Sequence, residues 1–128
     1  MADFLLQDED LEYLNANFAG CWRKTTGESG KRGVIVEGYP LPEGYSPDRV
    51  ELMVILPPDY PAGKIDMFYF DPPVARQDGI AIGALTTESY FGRNWQRWSR
   101  HYQWNPGADS LVSHIEYVRN QLESEIRK

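Results

Sequence analysis

The sequence predicts an α+β domain: a helix, an antiparallel meander of four strands, a long irregular loop and one long C-terminal helix. Three observations carry this. Apolar residues recur at helical spacing near both ends of the chain, they condense into short β-branched runs between those ends, and Pro or Gly separates the runs. The 128 residues fit one domain, 1–128. Apolar residues make up 41% of the chain and aromatic residues 13%, enough to bury a core.

The elements follow in order. Asp8, Glu9 and Asp10 precede Leu11, Leu14 and Phe18. Acids in a first turn suit a helix N-terminus, and this helix should stop before Gly20. Cys21 to Thr25 and then Val34 to Val36 read as strands around a charged, Gly-rich turn. Val50 to Leu56 is a third strand, closed by Pro57-Pro58-Asp59-Tyr60-Pro61. Ile65 to Phe70 is a fourth, closed by Asp71-Pro72-Pro73. Gly79 to Leu85 reads as a further strand or an ordered loop. Leu111, Ile115, Val118, Leu122 and Ile126 form one apolar stripe on a closing helix, with Asp109 as its N-cap.

Charge and composition exclude several functions. Nineteen acidic against thirteen basic residues give a net charge of −6. Bulk attraction to nucleic acid or an anionic membrane is therefore not expected. No apolar run approaches the ~20 residues of a membrane helix, and the N-terminus has no basic, apolar leader, so a cytoplasmic location is expected. One cysteine, Cys21, excludes an internal disulfide and Cys-rich zinc sites, so neither metal nor cofactor is expected. A lone cysteine reads as a small buried hydrophobe. The segment from Phe91 to Gln103 departs from the acidic average. It holds Arg93, Arg97, Arg100 and His101, no acid, and two of the chain's four tryptophans, with Trp104 just beyond.

Three pieces in this order resemble the ubiquitin-conjugating (UBC-like) superfamily. They are the strand running into Pro57, Tyr60 and Pro61, the strand ending Asp71-Pro72, and Trp104-Asn105-Pro106-Gly107 before the stripe helix. Trp95-Gln96-Arg97-Trp98-Ser99-Arg100-His101 is similar to its bacterial branch, the prokaryotic family E. The resemblance implies an enzyme that receives the C-terminus of a ubiquitin-like protein from an activating enzyme, as a thioester on cysteine, and passes it to an amine. Those two proteins are the implied partners. Here the sequence departs from the pattern. Counted back from Trp104, the cysteine position is Gln96, and no cysteine follows Trp22. The His-Pro-Asn tripeptide that precedes the cysteine is also absent, so thioester chemistry at the usual place is excluded.

Within the same loop, Ser99 could accept the acyl group as an oxyester. His101 would be its general base, and Arg100 or backbone amides would hold the oxyanion. On an extended backbone the side chains of 99 and 101 share a face. The bland reading has Ser99 as a turn residue and His101 as a gap filler. Arg93, Arg97 and Arg100 follow a 4,3 spacing that a helical turn would align, and Arg93 and Arg97 would then meet acidic groups of a partner. Equally, they could pair with this chain's own acids. Trp95, Trp98 and Tyr102 would share one face of such a helix and pack on the sheet. His114, beside Ile115, reads as a partly buried structural histidine, and Tyr60 as a pin for its loop. Three functions follow: an oxyester carrier, a catalytically inactive adaptor for a ubiquitin-like protein or activating enzyme, and, resting only on the basic segment, a small anion- or nucleic-acid-binding domain.

Overall fold

Alternating burial along the strands builds a sheet with two unlike faces. The computed structural model describes residues 4–128. Helix α1 (Asp8–Asn17) leads into β1 (Trp22–Thr26) and β2 (Arg32–Pro40), then β3 (Tyr45–Ser46) and β4 (Arg49–Leu56). After these come β5 (Phe68–Asp71), β6 (Ala75–Arg76), β7 (Leu85–Tyr90), β8 (Arg93–Trp98) and α2 (Leu111–Ile126). Six strands pair antiparallel in the order β1-β2-β4-β5-β8-β7, while β3 and β6 form a separate short ribbon. The expected four-strand meander is β1, β2, β4 and β5. The fourth strand starts later than expected, at Phe68, because Met67 takes a left-handed backbone (φ 62°) that breaks the ladder.

The expected long loop is where the structure departs most from the reading. Its first half is the hairpin β7–β8, joined by Phe91 and Gly92, both at positive φ (56° and 79°). That pair of angles is the type I′ turn, whose twist suits a two-residue hairpin. Arg93, Arg97 and Arg100 are therefore not aligned by a helical turn. Trp95 and Trp98 do not share a face either, since a strand sends odd and even positions to opposite sides.

One face carries the main core. Val34, Val36, Leu52, Val54, Phe68, Phe70 and Trp98 meet Leu14 of α1 and Leu111, Ile115, Val118 and Leu122 of α2. The other face buries Ile35, Met53, Tyr69 and Trp95 without help from a helix. Phe91 at the β7–β8 turn folds back far enough to lie against Gly33 of β2, where a Cβ would meet its ring at 2.8 Å. An ion-pair row covers the rest: Arg93 bridges Glu51 (2.9 Å) and Asp71 (2.8 Å), and Arg97 binds Glu88.

The N-cap of α2 is Ser110, one residue beyond the expected Asp109. Ser113 Oγ accepts from the Ser110 amide (2.9 Å) and donates to Asp109 (3.1 Å). Tyr60 ties both helices to the β4–β5 loop. Its hydroxyl donates to Asp10 Oδ2 (2.7 Å) and accepts from the Leu111 amide (2.6 Å). Asp10 is fully buried, and that burial raises its carboxyl above the usual range. Removing the hydroxyl in Tyr60→Phe leaves an acceptor and an amide unpaired. Denaturant titration should show a loss of roughly 2–4 kcal/mol, whereas a hydroxyl that merely pinned a surface loop would cost little.

His114 is wholly buried, more deeply than the sequence suggested. Its Nε2–H donates to the Met67 carbonyl (2.7 Å), and its Nδ1 accepts from the Tyr102 hydroxyl (2.9 Å). Burial pushes the ring down to about 4 from 6.5. A depressed histidine stabilises the fold above its unfolded value, and this contribution fades as pH falls from 6.5 towards 4. Urea midpoints should therefore drop across that window, by up to roughly 3 kcal/mol in stability. The drop should be largely absent in His114→Gln.

Candidate functional site

Trp98 ends β8 and sets where the following segment begins. Its indole is fully buried, stacked on Phe68 (5.6 Å between centroids) and edge-on to Phe70 (5.6 Å) and Tyr45 (6.3 Å). Its Nε1–H donates to Gln96 Oε1 (3.0 Å), and the Gln96 amide in turn holds Val74 through both backbone groups. Gln96, the residue reached by counting back from Trp104, is thus a strand residue with its side chain committed to the loop after β5.

Residues 99–104 form a strap pinned at five of its six residues. The Ser99 amide donates to the Ala84 carbonyl (3.1 Å), and the Arg100 amide turns back to Trp98 (3.1 Å). That second bond closes a three-residue turn around Ser99, so the extended backbone that would put the side chains of 99 and 101 on one face is interrupted. The Arg100 guanidinium lies over the Trp98 ring (4.9 Å to its centroid) and reaches the buried carboxylate of Glu125 (3.4 Å). His101 Nδ1 meets Asp66 Oδ1 at 2.7 Å, and its carbonyl accepts from the Tyr117 hydroxyl (3.2 Å). Tyr102 binds His114, and Trp104 Nε1–H donates to the Pro61 carbonyl (3.0 Å).

Ser99 is partly exposed, and among the described residues its Oγ makes no hydrogen bond. His101 is open to solvent, with 56% of its side chain exposed. Asp66 fixes one ring nitrogen and leaves Nε2 free, an arrangement that orients an imidazole for proton transfer. No hydrogen bond joins Ser99 to His101 among the described residues. Two non-glycine residues with left-handed backbone flank this place, Met67 and Ala84 (φ 62° and 58°). Such conformations persist only where their surroundings impose them, and both supply a carbonyl to the site, to His114 and to Ser99.

The other expected residues are distributed differently. Arg93 and Arg97 lie on the opposite sheet face from Trp98 and pair with Glu51, Asp71 and Glu88 of this chain. Arg93 also covers the Trp95 ring at 4.2 Å. Cys21 is exposed, not buried. A wide concavity lined by Lys31, Tyr90, Phe91 and Arg93 lies at the turn end of β7–β8, away from Ser99. Among the described residues no group of three or more His, Cys, Asp or Glu could hold a metal ion. No described helix is long and apolar enough to cross a membrane.

Asp66 is the site residue that the sequence did not single out. It lies 35 positions from His101, in the run read only as the fourth strand. Glu125 was missed for the opposite reason, since its place on an amphipathic helix reads as solvated although it is buried. The corrected setting of Cys21 has a direct check. In the native protein a bulky thiol reagent should label one site per chain without denaturant, and the folded circular dichroism spectrum should persist.

The sequence was compared with known proteins. The profile described as Prokaryotic E2 family E matches residues 6–125. No curated protein and no solved structure matches the chain. The helix–sheet–helix architecture is that of a UBC-like fold. The chain belongs to the prokaryotic E2 family E.

Proposed function

We propose that this protein carries the C-terminal acyl group of a ubiquitin-like protein in a prokaryotic conjugation pathway, as an oxyester on Ser99. The observation that supports this most directly is the Asp66–His101 pair beside an accessible, unbonded Ser99, in the segment where relatives place their acyl chemistry. Ser99 Oγ attacks the thioester carbonyl presented by the activating enzyme. The Oγ–C bond forms as the C–S bond breaks. His101 Nε2 takes the hydroxyl proton and returns it to the departing thiolate. The Ser99 and Arg100 amides already donate to the Ala84 and Trp98 carbonyls and the Arg100 guanidinium is held by Glu125 and Trp98, so none of the three is spare for the oxyanion.

An inactive adaptor is the second reading, favoured by the missing Ser99–His101 hydrogen bond. One reaction separates them. The protein is mixed with activating enzyme, ubiquitin-like protein and ATP, and its intact mass is followed. An adduct that resists mild thiol, yields to hydroxylamine and vanishes in Ser99→Ala is expected, and His101→Ala should slow its formation about a hundredfold. No adduct with retained partner binding supports the adaptor. An adduct that survives Ser99→Ala but disappears in Cys21→Ser overturns the serine assignment.

A further inference from the structure

The outer edge of β7 is open, and its hydrogen-bonding groups follow from the register. Leu85 faces Trp98, Thr87 faces Gln96 and Ser89 faces Asn94. The bond from the Ser99 amide to the Ala84 carbonyl makes 84 and 99 a hydrogen-bonded pair. Alternation along an antiparallel ladder then turns Thr86, Glu88 and Tyr90 towards β8, and turns the amides and carbonyls of Leu85, Thr87 and Ser89 outward. Among the described residues no backbone group outside the sheet meets those three.

Such an edge invites another strand, and proteins commonly protect it with Lys, Pro or a bulge. β7 has none of these over six residues in unbroken register. The opposite edge differs. β1 carries Arg23 and Lys24, and Lys24 Nζ reaches the Phe4 carbonyl (2.6 Å), which brings the N-terminal segment beside it.

Direction matters as well. A strand added antiparallel to β7 runs from the Tyr90 end to the Leu85 end, so its C-terminus emerges beside Ser99. A parallel strand would emerge at the hairpin turn. Past Leu85 the path is clear, because Gly83 and Ala84 are exposed and a Cβ on Gly83 would touch nothing within 4 Å. Two strand spacings, roughly 10 Å, separate the added strand from the end of β8, and about three extended residues cover that distance. A shallow apolar groove lined by Val74, Ile80, Ile82 and Leu85, with Ile80 52% exposed, continues from that end and can seat an apolar side chain.

We propose that the extended C-terminal tail of the ubiquitin-like partner adds to the free edge of β7 as an antiparallel strand, which brings its terminal carbonyl to Ser99. This rests on the acyl-carrier reading and specifies how the acyl donor is held. Main-chain pairing supplies the affinity and the groove at Leu85 supplies selectivity, as in other strand-addition complexes.

Amide hydrogen exchange on the full chain, with and without the ubiquitin-like protein, tests it. Leu85, Thr87 and Ser89 should exchange quickly in the free protein and at least tenfold more slowly in the complex. Thr86, Glu88 and Tyr90, already bonded to β8, should change little. Thr87→Pro removes an outward N–H that the fold does not use. Checked for a native melting curve, it should form the adduct at least tenfold more slowly. Adduct formation on the wild type without the alternating protection overturns the strand addition and leaves the carrier reading standing. Absence of adduct and of binding overturns both. Slow exchange at the three positions in the free chain that disappears on dilution assigns the edge to a second copy of this protein instead.

Discussion

The burial of Trp98 is the constraint from which the rest of the site follows. This indole occupies the junction of β5, β8 and the β3–β6 ribbon, between Phe68, Phe70 and Tyr45, and none of it reaches solvent. A side chain of that size has one way to fit a close-packed interior. Once it is seated, the backbone must leave the sheet at Ser99. Arg100 then lies across the ring, and His101 falls within reach of Asp66. Removal of the indole would release strap and sheet together.

Glu125 and Arg76 support the same junction from behind. Arg76 is nearly buried and donates to the Glu125 carbonyl (2.7 Å) and to Asp78 (2.7 Å), while Glu125 also meets Arg100. Buried charge is costly unless it is paired. Here two guanidiniums and two carboxylates satisfy one another at the C-terminal end of α2, where carbonyls without helical partners also accept Arg76. The strap, the ribbon and the last turn of the helix are thereby joined through one polar cluster.

The site differs in kind from a loop-borne cysteine. Counted back from Trp104, the family's cysteine position falls on Gln96, which lies inside a strand with its side chain bonded to Val74 and Trp98. Ser99, at the centre of the three-residue turn, is partly exposed, and His101 is open to solvent. Asp66 meets His101 across 2.7 Å, and the Ser99 amide ties this segment to Ala84 at the start of β7.

Much of this was legible in the residues. The stripe of α2 and the β-branched run of β4 report their structure because helix and strand periods differ and burial enforces them. The motifs around Tyr60, Asp71-Pro72 and Trp104 placed the family, and the count of one cysteine excluded the usual thioester. What the residues could not show was the path of 85–98. Arg-x-x-x-Arg-x-x-Arg and Trp-x-x-Trp fit a helix as well as a strand, and only pairing with β5 and a left-handed Phe91-Gly92 turn chose the strand. That choice sent Trp95 and Trp98 to opposite faces and gave Arg93 and Arg97 to intramolecular pairs. Sequence alone thus determined the fold class, the family and the lack of any cysteine from Trp22 onward. Tertiary structure decided that Asp66 meets His101, that Arg100 is held by Glu125 and that Cys21 is exposed, because contacts between residues far apart in the chain are set by packing and not by local pattern.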